Sequence, residues 1–311
     1  MTTAIREQGH DGGHEQRGRT SFLRQIGHVA LHLRLPVQLT LTPVYLWGVF
    51  GAGGRLATAT VTAFLALHVF LYGGATLFNS YYDRDDGPVI GMERPLALPP
   101  WALPFSLLWQ ALGGLLALTV SPPFVVFYLA YAVAGILYSH PVPRLKGNPY
   151  LGTLLILVFQ GWGGFLAGWL AGAGGGLPLG DARFWGMGLV TAGATLGLYP
   201  LTQVFQIDED AARGDRTLAM VLGPARSFAF AVVLLSVAAV AGLGALAVMG
   251  RLLNGLLMAG GFALMAAATI AIGARFAHRP LLVSFRRIAA LQFASAVGFG
   301  AFVALQFVHP F

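Results

Sequence analysis

Cysteine is missing from all 311 residues, which excludes disulfides and thiolate metal sites. Charge is scarce as well. Asp, Glu, Lys and Arg make up 10% of the chain, against about 25% in soluble domains. Lys146 is the only lysine. Residues 1–20 lack the apolar core of a signal peptide and read as a flexible polar tail, with His10 and His14 as tail residues rather than metal ligands. What dominates is apolar matter, 56% of the sequence. The class is all-α, a polytopic membrane helical bundle. The net charge of +7 is spread over span ends rather than gathered in a block, so nucleic acid is not a partner. The 42 glycines fit close helix packing in a bilayer.

Charged residues divide the chain into long uncharged runs. A spanning helix needs about 20 residues. The spacing predicts about nine spans, near 36–54, 56–82, 99–119, 123–139, 150–171, 184–206, 227–249, 252–274 and 287–308. Before them, Phe22, Ile26, Val29 and Leu33 recur at helical spacing beside Arg24, His28 and Arg34. This predicts an interfacial amphipathic helix over 20–35 that ends at Pro36. Nine spans put 16 of the 19 basic residues on one face, with only Arg55, Arg183 and Arg251 opposite. The positive-inside rule makes the rich face cytoplasmic, N-terminus included. Eleven of the 12 acidic residues lie there too, Asp181 being the exception. A polar pocket must therefore open on the cytoplasmic side. The expected location is a bacterial inner membrane, with residues 21–311 as one transmembrane domain.

Two acidic clusters carry the chemistry. Asn79-Ser80-Tyr81-Tyr82-Asp83-Arg84-Asp85-Asp86 ends the second span, and Gln206-Ile207-Asp208-Glu209-Asp210 follows the sixth. Carboxylates at a membrane edge are costly to desolvate and are usually functional. Residues four apart share a helix face. Tyr72, Thr76, Asn79 and Asp83 therefore form one stripe, and Tyr199, Gln203, Gln206 and Asp210 another. Pro200 should kink the helix beneath the second. Two such stripes would make an oxygen-rich pocket over an apolar cavity, suited to Mg²⁺ shared with substrate phosphates. The bland alternative is a solvated loop start before Gly87-Pro88. A third element, Tyr138-Ser139-His140-Pro141-Val142-Pro143-Arg144-Leu145-Lys146, offers Arg144 and Lys146 for phosphate capture, or for simple positive-inside anchoring.

In this order the three elements resemble the UbiA superfamily of intramembrane prenyltransferases. Gly214-Asp215-Arg216-Thr217-Leu218 with Leu222-Gly223 is similar to that family's sequence after its second motif. The resemblance implies a nine-span bundle, Mg²⁺ as cofactor, and transfer of an isoprenyl group from its diphosphate to an acceptor. The acceptor would be aromatic, quinone-type or another lipid-pathway molecule. The usual first motif is Asn-Asp-x-x-Asp-x-x-x-Asp; here Ser80 replaces the first aspartate and Gly87 the last, with Asp86 adjacent. The usual second motif is Asp-x-x-x-Asp; here Gln206 and Asp210 stand in it. The site so implied has Asn79, Asp83, Asp86, Gln206 and Asp210 for metal, Asn79, Arg144 and Lys146 for diphosphate, and Asp83, Asp210 and Lys146 for catalysis. Tyr138, Tyr82 and Phe205 are candidates by location to shield an allylic cation.

Three rivals are separable. A transporter should carry its acids near mid-span, whereas these lie at span ends. An inactive homologue with a scaffolding or lipid-binding role would explain the motif departures. A CDP-alcohol transferase is suggested only by Asp85-Asp86-Gly87, and the Ala-Arg pair it needs does not follow.

Overall fold

The structure is a computed structural model of the single chain, and it describes residues 22–308. The polar tail, His10 and His14 included, lies outside the described residues. Ten principal helices follow in order: α1 Phe22–His32, α2 Thr42–Gly51, α3 Thr58–Asp83, α4 Ala102–Ala117, α5 Pro122–Ser139, α6 Pro149–Gly172, α7 Ala182–Leu198, α8 Leu218–Val248, α9 Leu252–Gly273 and α10 Leu281–Val308. Six of them, α3, α5, α6, α8, α9 and α10, are long and apolar enough to cross a membrane.

The three remaining expected spans have shorter helices. The first begins with a four-residue helix, Leu35–Gln38, and a 3₁₀ turn before α2. The third is α4, of 16 residues. The sixth, expected as continuous to 206, ends at Leu198. Pro200 has no N–H to extend the ladder. The chain passes through a 3₁₀ turn, Pro200–Thr202, and restarts as Ile207–Ala212.

The surface helix α1 differs from its predicted pattern. Val29 and Leu33 pack inward on Leu77 and Ala102, while Phe22 and Ile26 are exposed. Buried and exposed apolar residues on one helix fit an element with protein on one side and lipid on the other. His28 and His32 pin it by contacting the carbonyls of Ala97 and Leu96 at 2.9 and 2.8 Å.

Glycine sets the closest approach in the bundle. On α6, Gly164, Gly168 and Gly172 recur every four residues against α2. A Cβ at Gly168 would fall on the Tyr45 carbonyl, and one at Gly48 on that of Phe165. With no hydrophobic force between helices in lipid, such backbone contact is what holds them. The core around Trp47, Phe165, Phe184 and Met187 forms beside this seam.

Candidate active site

Two helices are rewound where they face the centre of the bundle. Leu65–Tyr72 in α3 and Ile156–Trp162 in α6 are π-helical, a form common at functional sites. Tyr72, Ile156, Phe159 and Gln160 from these stretches line a cavity of about 460 Å³. Phe262, Met265 and Phe299 of α9 and α10 complete its apolar part. Its charged part is lined by Arg34, Asp83, Asp85, Lys146, Asp210, Arg213 and Asp215.

These groups arrive from separate elements. Asp83 ends α3, and its carboxylate receives Lys146 on one oxygen and Arg144 on the other, the latter at 3.3 Å. Arg144 holds Asp215 through Nε and Nη2, both at 2.6 Å. That bidentate geometry favours arginine over lysine. Gly147 permits it, because a Cβ there would sit 2.7 Å from Asp215 Oδ1. Its carbonyl also accepts the Arg216 N–H at 3.0 Å. Beside them, Arg213 donates to Asp85 and Asp210, each at 2.7 Å, and reaches Glu209 at 3.4 Å. Glu209 in turn accepts the Asp86 N–H at 2.9 Å. The two acidic clusters are thus tied together by Arg213 and Glu209.

Burial raises Asp85 above the ordinary carboxylate range, with Asp83 adding repulsion and Arg213 opposing. Asp210 is raised by burial too, again against Arg213. Burial also holds Lys146 below the usual lysine range, although Asp83 pulls it up. Burial would lower Arg213, but its bonds to Asp85 and Asp210 outweigh this and raise it.

The sequence candidates are distributed as follows. Asn79, Asp83, Lys146, Gln206 and Asp210 line the cavity together. Asn79 donates through Nδ2 to Ser139 Oγ at 2.9 Å, which leaves its amide oxygen for another partner. Arg144 stands behind, engaged with Asp83 and Asp215. Asp86 is exposed and lines a neighbouring polar cavity with His32, Ser80 and Arg84. Tyr199, Gln203, Gln206 and Asp210 all line the main cavity, although the helix that should align them is broken. Of the aromatic candidates, Tyr138 lines the cavity, its hydroxyl 3.2 Å from that of Tyr199. Tyr82 packs on Phe78 and His140, and Phe205 on Phe285, elsewhere. Arg34, Arg213 and Asp215 line the cavity without being among the sequence candidates. Arg213 follows Asp210 by one helical turn, and Asp215 is part of the Gly-Asp-Arg stretch; both signals were in view. Arg34 has no local signal.

Among the described residues, no group of three or more acidic or histidine side chains could hold a metal ion. The donor set still suits Mg²⁺, which takes oxygen ligands and is commonly held by one or two carboxylates plus substrate phosphates. Charge supports the same fit. Four carboxylates, of Asp83, Asp85, Asp210 and Asp215, line the cavity with three cations, of Arg34, Lys146 and Arg213, and Arg144 and Glu209 are bonded behind them. A polyphosphate entering a site so rich in carboxylates needs added positive charge.

The UbiA prenyltransferase family matches residues 41–281. Among curated relatives, a protoheme IX farnesyltransferase of Aeropyrum pernix is 31% identical over 149 residues, 46% of this chain and 49% of the relative. A digeranylgeranylglyceryl phosphate synthase of Natronomonas pharaonis is 29% identical over 184 residues, 58% of this chain and 63% of the relative. The chain therefore spans about half to under two thirds of these relatives. In fold it is similar to a UbiA homolog from Archaeoglobus fulgidus bound to DMAPP and Mg²⁺, with TM-score 0.63, 20% identity, and 88% and 99% of the two chains covered. It is also similar to the apo structure of a UbiA homolog from Aeropyrum pernix, with TM-score 0.64, 16% identity, and 88% and 98% covered.

Proposed function

The chain belongs to the UbiA prenyltransferase family, and on that premise we propose that it transfers an isoprenyl group from its diphosphate to a lipid-pathway acceptor, with Mg²⁺ as cofactor. The observation that carries this reading is the two-part cavity, apolar for most of its length and densely charged at one end. An isoprenyl diphosphate has the same two parts. The relatives named for farnesyl transfer and for digeranylgeranylglyceryl phosphate synthesis support the reaction class. The fold neighbours bound to DMAPP or GPP with Mg²⁺ support the donor and the metal. The acceptor is aromatic, quinone-type or another lipid-pathway molecule. The protein is integral to the membrane. Its nine spans, cytoplasmic N-terminus and cytoplasmic charged pocket complete the proposal.

The residues divide the work. The isoprenyl chain lies among Tyr131, Phe159, Phe262 and Phe299, which exclude water and suppress simple hydrolysis. Lys146 faces the diphosphate, and Arg144 keeps Asp83 and Asp215 in place behind it. Bound Mg²⁺ would neutralise the diphosphate oxygens, held by Asp83, Asp210 and Asn79, with Gln206 and Asp86 as weaker participants. As the bond from C1 to the diphosphate oxygen breaks, negative charge grows on the leaving group, where these groups are already aimed. Positive charge grows on the allylic carbon, and Tyr138 and Tyr199, which line the cavity, would attract it through their rings. The acceptor then bonds to C1 and gives up its proton.

One observation favours a second reading. Every carboxylate at the charged end is already matched by a cation of the protein, as an inactive scaffold or lipid-binding homologue would be. Transfer from labelled geranylgeranyl diphosphate to an acceptor panel separates the two. The wild type should turn over, and Asp83→Asn and Asp210→Asn should each lose about 10²–10³ in rate while staying folded. Full activity in either variant, or in excess EDTA, would refute the assignment.

A further inference from the structure

Lys146, Arg144 and Arg213 each have a carboxylate partner. Arg34 lines the same charged end without one among the described residues. Its Nη2 donates to the neutral Ser80 hydroxyl at 2.9 Å, and its Nη1 reaches the Ile90 carbonyl at 3.5 Å. Its Nε is buried with no hydrogen-bond partner. Asp83 and Asp85 are near enough to act on it, but they are bonded to Lys146 and Arg213. Arg34 also adopts a left-handed backbone, at φ 48°. A non-glycine residue pays for that conformation, and such strain gathers at functional sites. Here it turns the chain between α1 and the helix at Leu35, at a residue that lines the cavity.

A buried cation without a counter-charge is costly to keep. Arg34 has an unfilled donor at Nε and no ion-pair partner of its own among the described residues, and an anion would supply both. Resting on the diphosphate reading above, we propose that Arg34 binds a phosphate of the isoprenyl diphosphate directly, with no metal between, and carries a metal-independent share of its affinity. Ser80 makes this possible. It aims the guanidinium by a hydrogen bond and leaves its charge unspent, which an aspartate at 80 would not. Ser80 lies three residues before Asp83 on α3, a rise of about 4.5 Å. Arg34 on the first and Lys146 on the second present two cations at the same end of α3, for the two phosphates of one headgroup.

The test is binding of labelled inorganic pyrophosphate to the full chain in lipid nanodiscs, in EDTA and in Mg²⁺. The wild type should bind measurably in EDTA. Arg34→Gln should bind at least tenfold more weakly there, with Arg34→Lys between the two. Ser80→Asp retains Arg34 but supplies a carboxylate, and it should also weaken binding in EDTA at least tenfold while remaining responsive to Mg²⁺. No wild-type binding in EDTA, or binding there that ignores both Arg34→Gln and Ser80→Asp, overturns the inference. Arg34-dependent pyrophosphate binding in a protein that transfers no isoprenyl group upholds this anion site and removes the prenyl-transfer reading. Mg²⁺-dependent transfer with EDTA binding indifferent to Arg34 does the reverse.

Discussion

Gln206 is a neutral amide on a wall otherwise rich in carboxylates. It lines the cavity beside Asp210, whose backbone N–H donates to the Gln206 carbonyl at 2.8 Å. An amide oxygen can ligate a hard cation but brings no charge. Gln206→Asp should therefore lower the Mg²⁺ concentration needed for half-maximal diphosphate binding several-fold; an unchanged Mg²⁺ titration would count against Gln206 as a metal-side residue. At this scale the sequence was informative for Asn79, Asp83, Lys146 and Asp210, because helical spacing or a short loop brings each to the same end of a span. Arg34 was illegible for the opposite reason. It stands 46 residues before Ser80, its hydrogen-bond partner, and in sequence it looks like any basic residue at a membrane edge.

Among the elements, the pair α2 and α6 shows what glycine does in this bundle. Gly168 meets the Tyr45 carbonyl with no room for a Cβ, so Gly168→Ala must push two helices apart. Overpacking of this kind costs about 1–3 kcal/mol. The variant should melt lower in detergent than wild type, whereas Gly261→Ala, with open space around it, should not. Equal melting of both would show that this seam does not limit stability. The composition announced tight packing, but only the fold says which of the glycines need it. The break at Pro200 has a similar history. A kink was legible from proline chemistry, yet its extent was not. The helix stops at Leu198 and restarts at Ile207, and this interruption lets Gln203 Oε1 accept the Ala219 N–H of α8 at 3.2 Å.

At the scale of the molecule, charge is segregated. In the nine-span arrangement the basic and acidic loops fall at the same ends of the helices as the charged part of the cavity, and Arg55, Asp181, Arg183 and Arg251 fall at the opposite ends. Arg183 pairs with Asp181, and Arg251 lies over Phe50. On the proposed nine-span arrangement the positive-inside rule predicts a cytoplasmic charged end. Reporter fusions after residues 90, 146, 213 and 280 should all report cytoplasm. A signal from the far side at any of the four would break the nine-span arrangement.

The sequence by itself determined the solvent, the helical class and the family. Apolar run lengths and the order of three polar motifs are local properties, and they survive without knowledge of packing. It also placed two acidic clusters at span ends, since the helical period is known. Only the tertiary structure decided which charges satisfy one another. Arg144 grips Asp215 as well as Asp83, and Asp86 lines the neighbouring cavity. Those outcomes depend on where loops separated by more than 60 residues meet. A buried charge is settled by its nearest partner in space, and distance along the chain carries no information about that partner.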